Sequence, residues 1–272
     1  MICFPNAKIN IGLSVVNKRA DGYHDLETIF YPIDWCDSLE IIENNENDCR
    51  FYQSGIIIDG DSENNLVLKA YRKLKKQFDL PPVDIFLHKT IPFGAGLGGG
   101  SSDASFTLKL LRDKFILPLD NNELLSIASQ LGADCPFFIE NKTVFASATG
   151  NEFTKIDFSL KGYNIAVVKP SFGVSTKEAF GNIKPQKPKT SVMEAVNHPI
   201  ENWMEFLKND FETTVFKLYP GLEKIKQTLY NNGALYSAMS GSGSAVFGIF
   251  NEIPNLENVF PDCTLWQGEC SI

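Results

Sequence analysis

The stretch PFGAGLGGGSSDAS, Pro92 to Ser105, puts five glycines into seven positions and follows them at once with two serines and an aspartate. Glycine costs about 1 kcal/mol relative to alanine inside a helix, so a cluster this dense points to something that side chains would keep away. A strand, a glycine-rich loop and a helix start together make an anion site. The glycines let backbone N–H groups close on phosphate oxygens, and the helix adds unpaired donors and the positive end of its dipole. A tight turn or close helix packing would account for one or two glycines, but not for five leading into Ser-Ser-Asp. Three other spacings could do chemistry. Lys8 and Asn10 share one parity of an alternating segment, so both project from the same face of a strand. Tyr23 and His24 stand together in the polar turn RADGYHDL, and Asp134 lies two residues past Gly132 and two before Pro136.

Several phosphate binders can be excluded. The pattern G-x-x-x-x-G-K-[ST] fails, because Ser101 and not lysine follows the glycines. Gly94 to Gly99 does satisfy G-x-G-x-x-G, but a dinucleotide fold needs a strand after the helix, ending in an acidic residue on the ribose. Here a second capped helix follows instead. No H-R-D-x-x-x-x-N or D-F-G follows either, which removes the protein-kinase reading.

The elements that must hold these residues are legible in outline. Ala7, Ile9, Ile11, Leu13 and Val15 alternate with polar or small residues, which predicts a half-buried strand. DLETIFYPI and DSLEII read as further strands of a meander. From Asn64 the spacing Val67, Ala70, Tyr71, Leu74, Phe78 is helical, and VDIFLHKTI reads as the strand running into the glycines. A helix is expected from Ser101 or Ser102, and another over DNNELLSIASQLGAD. There Asp120 and Glu123 have capping-box spacing and Gly132 suits a left-handed C-terminal position. TVFAS and YNIAVVKP are strands, and near residue 155 the texture changes. Domains are accordingly expected at 1–155 and 156–272. In the second, 181–202 reads as an exposed mobile connection, ENWMEFLKNDFE and GLEKIKQTLYNNG as helices, and ALYSAMSGSGSAVFGIF as two strands bent around Gly241 and Gly243. Strands and helices intermix without a βαβ rhythm, so the expected class is α+β.

Composition narrows the partners. A net charge of −8 and an isoelectric point near 5.0 argue against a nucleic-acid or anionic-membrane binder. Six scattered cysteines and three histidines offer no zinc cluster or disulfide framework, which suggests reduced thiols in a cytoplasmic protein. The N-terminus has no basic region followed by an apolar run, and no segment has the ~18 apolar residues of a membrane span.

The glycine stretch resembles the nucleotide loop of the GHMP small-molecule kinases, which include galactokinase, homoserine kinase and mevalonate kinase. NAKINIGLSVVNKRADGYHDLETIF, LGADCPFF and MSGSGSAVFGIF extend the resemblance in order from Asn6 to about Phe250. DGYH points to the branch whose acceptor carries a cytidine diphosphate group. Phe93, Ser105 and the C-terminal tail depart from the pattern.

The resemblance implies a two-domain α+β fold with its active site in the cleft between domains, ATP as co-substrate, and Mg²⁺. Pro92, Phe93, Gly94, Ala95, Gly96, Leu97, Gly98, Gly99, Gly100, Ser101 and Ser102 would wrap the ATP phosphates, with Ser101 or Ser102 as the hydroxyl near the metal. Asn65 and Lys89 would line the adenine side. Asp134 would be the catalytic base, and Lys8 would hold it and stabilise developing charge, with Asn10 beside it. Tyr23 would stack on the cytosine, His24 would hydrogen-bond the base, Phe180 would be the opposite wall, and Thr176 would lie near the reacting centre. Gly241 to Gly243 would close over the cleft. Three rivals remain: a GHMP kinase for an alcohol without a nucleotide handle, a non-catalytic nucleotide or sugar sensor on the same scaffold, and a nucleotide-dependent dehydrogenase. Intact Lys8 and Asp134 disfavour the sensor, the Tyr-His pair the simple alcohol, and the helix-helix succession the dehydrogenase.

Overall fold

The computed structural model describes residues 1–46, 48–57 and 62–270. The chain opens with β1 (Ile2–Cys3), β2 (Asn6–Lys18), β3 (His24–Cys36), β4 (Ser38–Glu43) and β5 (Arg50–Gly55). It continues through α1 (Leu66–Lys75), β6 (Val83–Lys89), α2 (Gly99–Lys114), α3 (Asn121–Ser129) and α4 (Cys135–Glu140). Then come β7 (Val144–Ser147), β8 (Glu152–Lys155), β9 (Asn164–Pro170), α5 (Thr176–Phe180), α6 (Val192–Ala195) and α7 (Trp203–Phe206). The last elements are α8 (Glu212–Leu218), α9 (Pro220–Asn231), β10 (Tyr236–Met239), β11 (Val246–Phe250) and β12 (Cys263–Glu269). The architecture is α+β. No helix among the described residues is long and apolar enough to cross a membrane, and all six cysteines are free thiols.

The compact units do not divide at residue 155. The first comprises 1–7, 35–93 and 98–142; the second takes 8–34, 94–97 and 143–272. Sheet pairing is the reason. β2 and β3 share a sheet with β7 and β8, so the opening strands belong with the C-terminal half. The DLETIFYPI and DSLEII strands are therefore not a simple meander: β3 pairs with β7, whereas β4 pairs with β6.

The first unit has the sheet order β1-β4-β6-β5, in which β4 is antiparallel and β5 parallel to β6. Leu39, Ile41, Ile85 and Leu87 of this sheet share one core with Val67, Tyr71 and Leu74 of α1 and Leu108 and Leu111 of α2. Asn65 caps α1 by accepting the Val67 amide at 2.9 Å. The expected capping box at Asp120 and Glu123 forms in both directions, at 2.8 Å each. Two boundaries differ from expectation. α2 starts at Gly99, ahead of the serines, because Gly98 takes the N-cap position with a left-handed φ of 70° that only glycine adopts without strain. α3 ends at Ser129 with a right-handed Gln130, so Gly132 is not its left-handed cap.

In the second unit the antiparallel sheet β10-β11-β9-β12 packs its apolar face on Val215 of α8 and Leu222, Ile225 and Leu229 of α9. The other sheet contains β2, which is buried along ten consecutive residues rather than on one face. Its alternation separates an apolar face from a polar face that is equally shielded from water. The expected helix ENWMEFLKNDFE is broken, because its middle bridges β2: Leu13 donates to the Lys208 carbonyl at 2.8 Å and Asp210 donates back to Leu13 at 2.9 Å. The 181–202 connection is also more structured than its composition suggests. Ser191 and Glu194 form a capping box, Val192 and Ile200 are buried, and the Gln186 amide donates to Val15 at 2.9 Å.

Candidate active site

In the second unit, β2 carries polar side chains into the interior, Lys8 and Asn10 among them. Lys8 and Asn10 are each 3% exposed. A buried ammonium needs partners, because desolvation without them costs several kcal/mol. The Lys8 Nζ donates to Asn10 Oδ1 at 2.5 Å and sits 4.7 Å from the centre of the Phe30 ring. Asn10 is fixed in turn: its Nδ2 donates to Thr28 Oγ1 at 3.2 Å, and its backbone amide donates to Ser240 Oγ at 3.2 Å. Ser240 also donates to the Gly96 carbonyl at 2.8 Å, and the Lys8 amide donates to the Leu97 carbonyl at 2.9 Å. The lysine strand, the SGSG turn and the middle of the glycine loop are thus hydrogen-bonded together. A Cβ on Gly96 would overlap the Ser240 carbonyl, so this close backbone approach requires glycine. Asn209 holds the turn from beneath by donating to the Met239 and Gly241 carbonyls at 2.7 and 2.8 Å.

The residues expected on the acceptor side divide. His24 stacks on Phe180, with ring centroids 4.6 Å apart and an interplanar angle of 20°, and Phe211 meets Phe180 edge-on at 4.8 Å. His24 therefore occupies one face of Phe180, where the resemblance would put the base. Tyr23 stands apart from this stack and is 66% exposed. Thr176, the first residue of α5, places its hydroxyl 3.4 Å from Ser242 Oγ, at the glycine turn.

In the first unit, β6 leads through buried Pro92 and exposed Phe93 to the glycines. Ala95 and Leu97 lie in the second unit with their side chains buried, so only their backbone is available to a ligand. At the start of α2, Ser101 is half-buried, whereas Ser102 is fully buried and its Oγ has no hydrogen-bond partner among the described residues. Asp134 occupies the N-cap position of α4 without using its side chain as a cap. Ser105, the departure from the resemblance, has a structural task here: its hydroxyl donates to the Cys135 carbonyl at 2.7 Å and ties the Asp134 segment to α2.

Relatives with the same layout identify the family. Residues 65–142 match the GHMP kinases N terminal domain and 192–260 match the GHMP kinases C terminal domain. The chain is 54% identical to the 4-diphosphocytidyl-2-C-methyl-D-erythritol kinase of Parabacteroides distasonis, over 100% of both chains. This chain belongs to the GHMP kinase family. The same-named kinase of Porphyromonas gingivalis is 53% identical over 98% of each chain. A crystal structure of 4-(cytidine 5'-diphospho)-2C-methyl-D-erythritol kinase superposes with a TM-score of 0.82 at 30% identity, covering 98% of each chain. The Methanococcus jannaschii mevalonate kinase, at 16% identity, a TM-score of 0.69 and coverage of 100% and 98%, shares the fold. As a GHMP kinase the chain uses ATP as phosphoryl donor.

One ATP-side assignment changes. In this GHMP kinase Lys89 is 2% exposed, and its ammonium is engaged by two buried carboxylates rather than directed at an adenine. It donates to Asp37 and, at 2.7 Å, to Asp103 of α2. Asp37 also accepts the amides of Thr90 and Ile91 at 2.6 and 2.8 Å. Lys89 thus ties the strand that enters the glycine loop to the helix that leaves it, a positioning task. A lysine before a phosphate loop gives no hint of this, because Asp37 is 52 residues away in sequence.

Burial pushes the Asp103 carboxyl up to about 7; the Lys89 ammonium opposes the rise and Asp37 adds to it. The folded chain then keeps a proton that an unfolded aspartate, at 3.8, releases. This contribution to stability is complete below about pH 4 and is lost as pH rises through 7. Melting temperature is expected to fall between pH 5 and pH 8, and Asp103→Asn to flatten that fall. Identical pH profiles for the two proteins would remove Asp103 as its source.

Proposed function

We propose that this GHMP kinase transfers the γ-phosphoryl group of ATP to the 2-hydroxyl of 4-diphosphocytidyl-2-C-methyl-D-erythritol, in the non-mevalonate route to isoprenoid precursors. The observation that carries the reading is end-to-end identity of 54% with a kinase of that name. Within each unit the local geometry suits the chemistry. Phosphoryl transfer asks for positioning and charge stabilisation more than for covalent work by the protein. α2 presents the unpaired amides of its first turn beside an open glycine backbone, which suits phosphate oxygens. Lys8, held by Asn10 and Phe30, supplies a fixed positive charge for the transferred group, and Asp134 accepts the proton of the acceptor hydroxyl.

Mg²⁺ bound with the nucleotide would supply neutralisation of the phosphate charge. Ser101, the half-buried hydroxyl at the start of α2, is the protein group that would stand beside it. The reaction belongs in the cytoplasm, where six free thiols stay reduced.

ADP release tests the reading. Turnover is expected with the cytidylylated acceptor and not with mevalonate, homoserine or galactose; comparable turnover of a bare alcohol would overturn it. Base recognition has its own test. If Tyr23 stacks on the cytosine, Tyr23→Ala should lose about 1–3 kcal/mol of acceptor binding by calorimetry and leave ATP binding unchanged. Its 66% exposure means that the substitution empties no core, so an equal loss for both ligands would make its role structural.

A further inference from the structure

Five lysines border a single cavity of ≈ 740 Å³ in the second unit. Lys184, Lys187 and Lys189 come from the segment after α5, Lys208 from the bridge beside Leu13, and Lys217 from α8. Glu205 and Asp210 are the only carboxylates in the lining, so three positive charges are left over in a chain whose net charge is −8. None of the five lysines forms an ion pair among the described residues. Asp210 is already committed to the backbone, accepting the Val15 amide at 2.7 Å.

Lysines on an exposed connection ordinarily spread apart, since like charges repel and long side chains gain freedom in water. Here their spacing is fixed. Pro185 and Pro188 restrict the backbone between the lysines, the Gln186 amide is tied to Val15, and the Ser191–Glu194 capping box ends the segment. Ser14 and Thr214 add hydroxyls from the floor, while Ile183 and Phe206 give the cavity an apolar side. A volume of this size suits a small ligand rather than a polymer, and the net charge of −8 disfavours nucleic acid. A surplus of three charges matches a diphosphate, which carries roughly −3 near neutral pH.

We propose that this cavity is a second anion site that binds a small molecule through a diphosphate group. None of its lining residues belongs to the glycine loop, and the proposal does not rest on the kinase reading. Inorganic pyrophosphate is the probe, titrated by calorimetry into the full chain with the nucleotide site saturated by a non-hydrolysable ATP analogue. One pyrophosphate should still bind per chain, and Lys184→Gln/Lys187→Gln/Lys189→Gln should weaken it roughly tenfold or more, as expected for removing three partly exposed charge contacts. These lysines are exposed, so the variant should keep its melting temperature and its kcat. Absence of binding, loss of binding in the presence of the ATP analogue, or equal affinity in the variant would overturn the site. A raised KM for the cytidylylated acceptor in the variant would also overturn it, by assigning the lysines to that acceptor.

Discussion

Asp134→Asn is expected to lower kcat by roughly 10²–10⁴-fold, the usual worth of a positioned general base, with ATP affinity nearly unchanged. The substitution keeps the shape of the side chain and removes its charge. The Asp134 side chain does not cap α4, and its segment is tied to α2 through Ser105 and the Cys135 carbonyl, so a melting curve of the variant beside its kcat separates lost chemistry from lost structure. A loose transition state makes little demand on early deprotonation, so part of the loss will be misplacement of the acceptor hydroxyl. Lys8→Ala should give a different signature. It vacates a site 3% exposed and leaves Asn10 Oδ1 without its closest donor, so activity and melting temperature should fall together. A kcat near wild type in Asp134→Asn would remove the base assignment, whatever Lys8→Ala does.

Local signals carried much of this fold. The spacing of α1, the capping box of α3 and the glycine bend between β10 and β11 each depend on residues close together in sequence, and each formed as read. What escaped was non-local. β5 and β12, RFYQSG and CTLWQGE, are short half-buried strands whose pairing to β6 and β9 supplies the order that their own residues do not announce. The helix expected at 201–212 broke because Lys208 and Asp210 satisfy Leu13 backbone groups nearly two hundred residues away.

The site divides the same way. Lys8, Asn10 and the glycines were visible by type and spacing. The side chains that hold them and the SGSG turn, Thr28, Ser240 and Asn209, were not, because a small polar residue in a strand, turn or loop looks the same whether or not it fixes a buried neighbour. Ser240 stands inside the SGSG turn, and the hint it offered was its place among glycines that let backbones approach.

The glycine loop can be tested at one position without disturbing the protein around it. Gly96 and Gly98 adopt left-handed backbone conformations, and a Cβ on Gly99 would press on Ile91 at 2.9 Å, so substitutions at these positions confound ligand effects with strain. Gly100 differs. It lies inside α2 without a positive φ, and a Cβ there meets no protein atom within 4 Å. Nothing in the fold requires glycine at Gly100, and its presence costs about 1 kcal/mol against alanine. A phosphate approaching the first-turn amides would account for the tolerance of that cost. Gly100→Ala is therefore expected to raise the melting temperature by about 2–4 °C at most, as suits a chain of this size. It should weaken ATP binding by about 1.5–3 kcal/mol, roughly 10- to 150-fold, the worth of hydrogen bonds to a charged group. Opposite signs in the two measurements are the signature, since a merely destabilised protein loses both. A variant that melts higher and binds ATP as tightly as wild type would place the phosphates away from the start of α2.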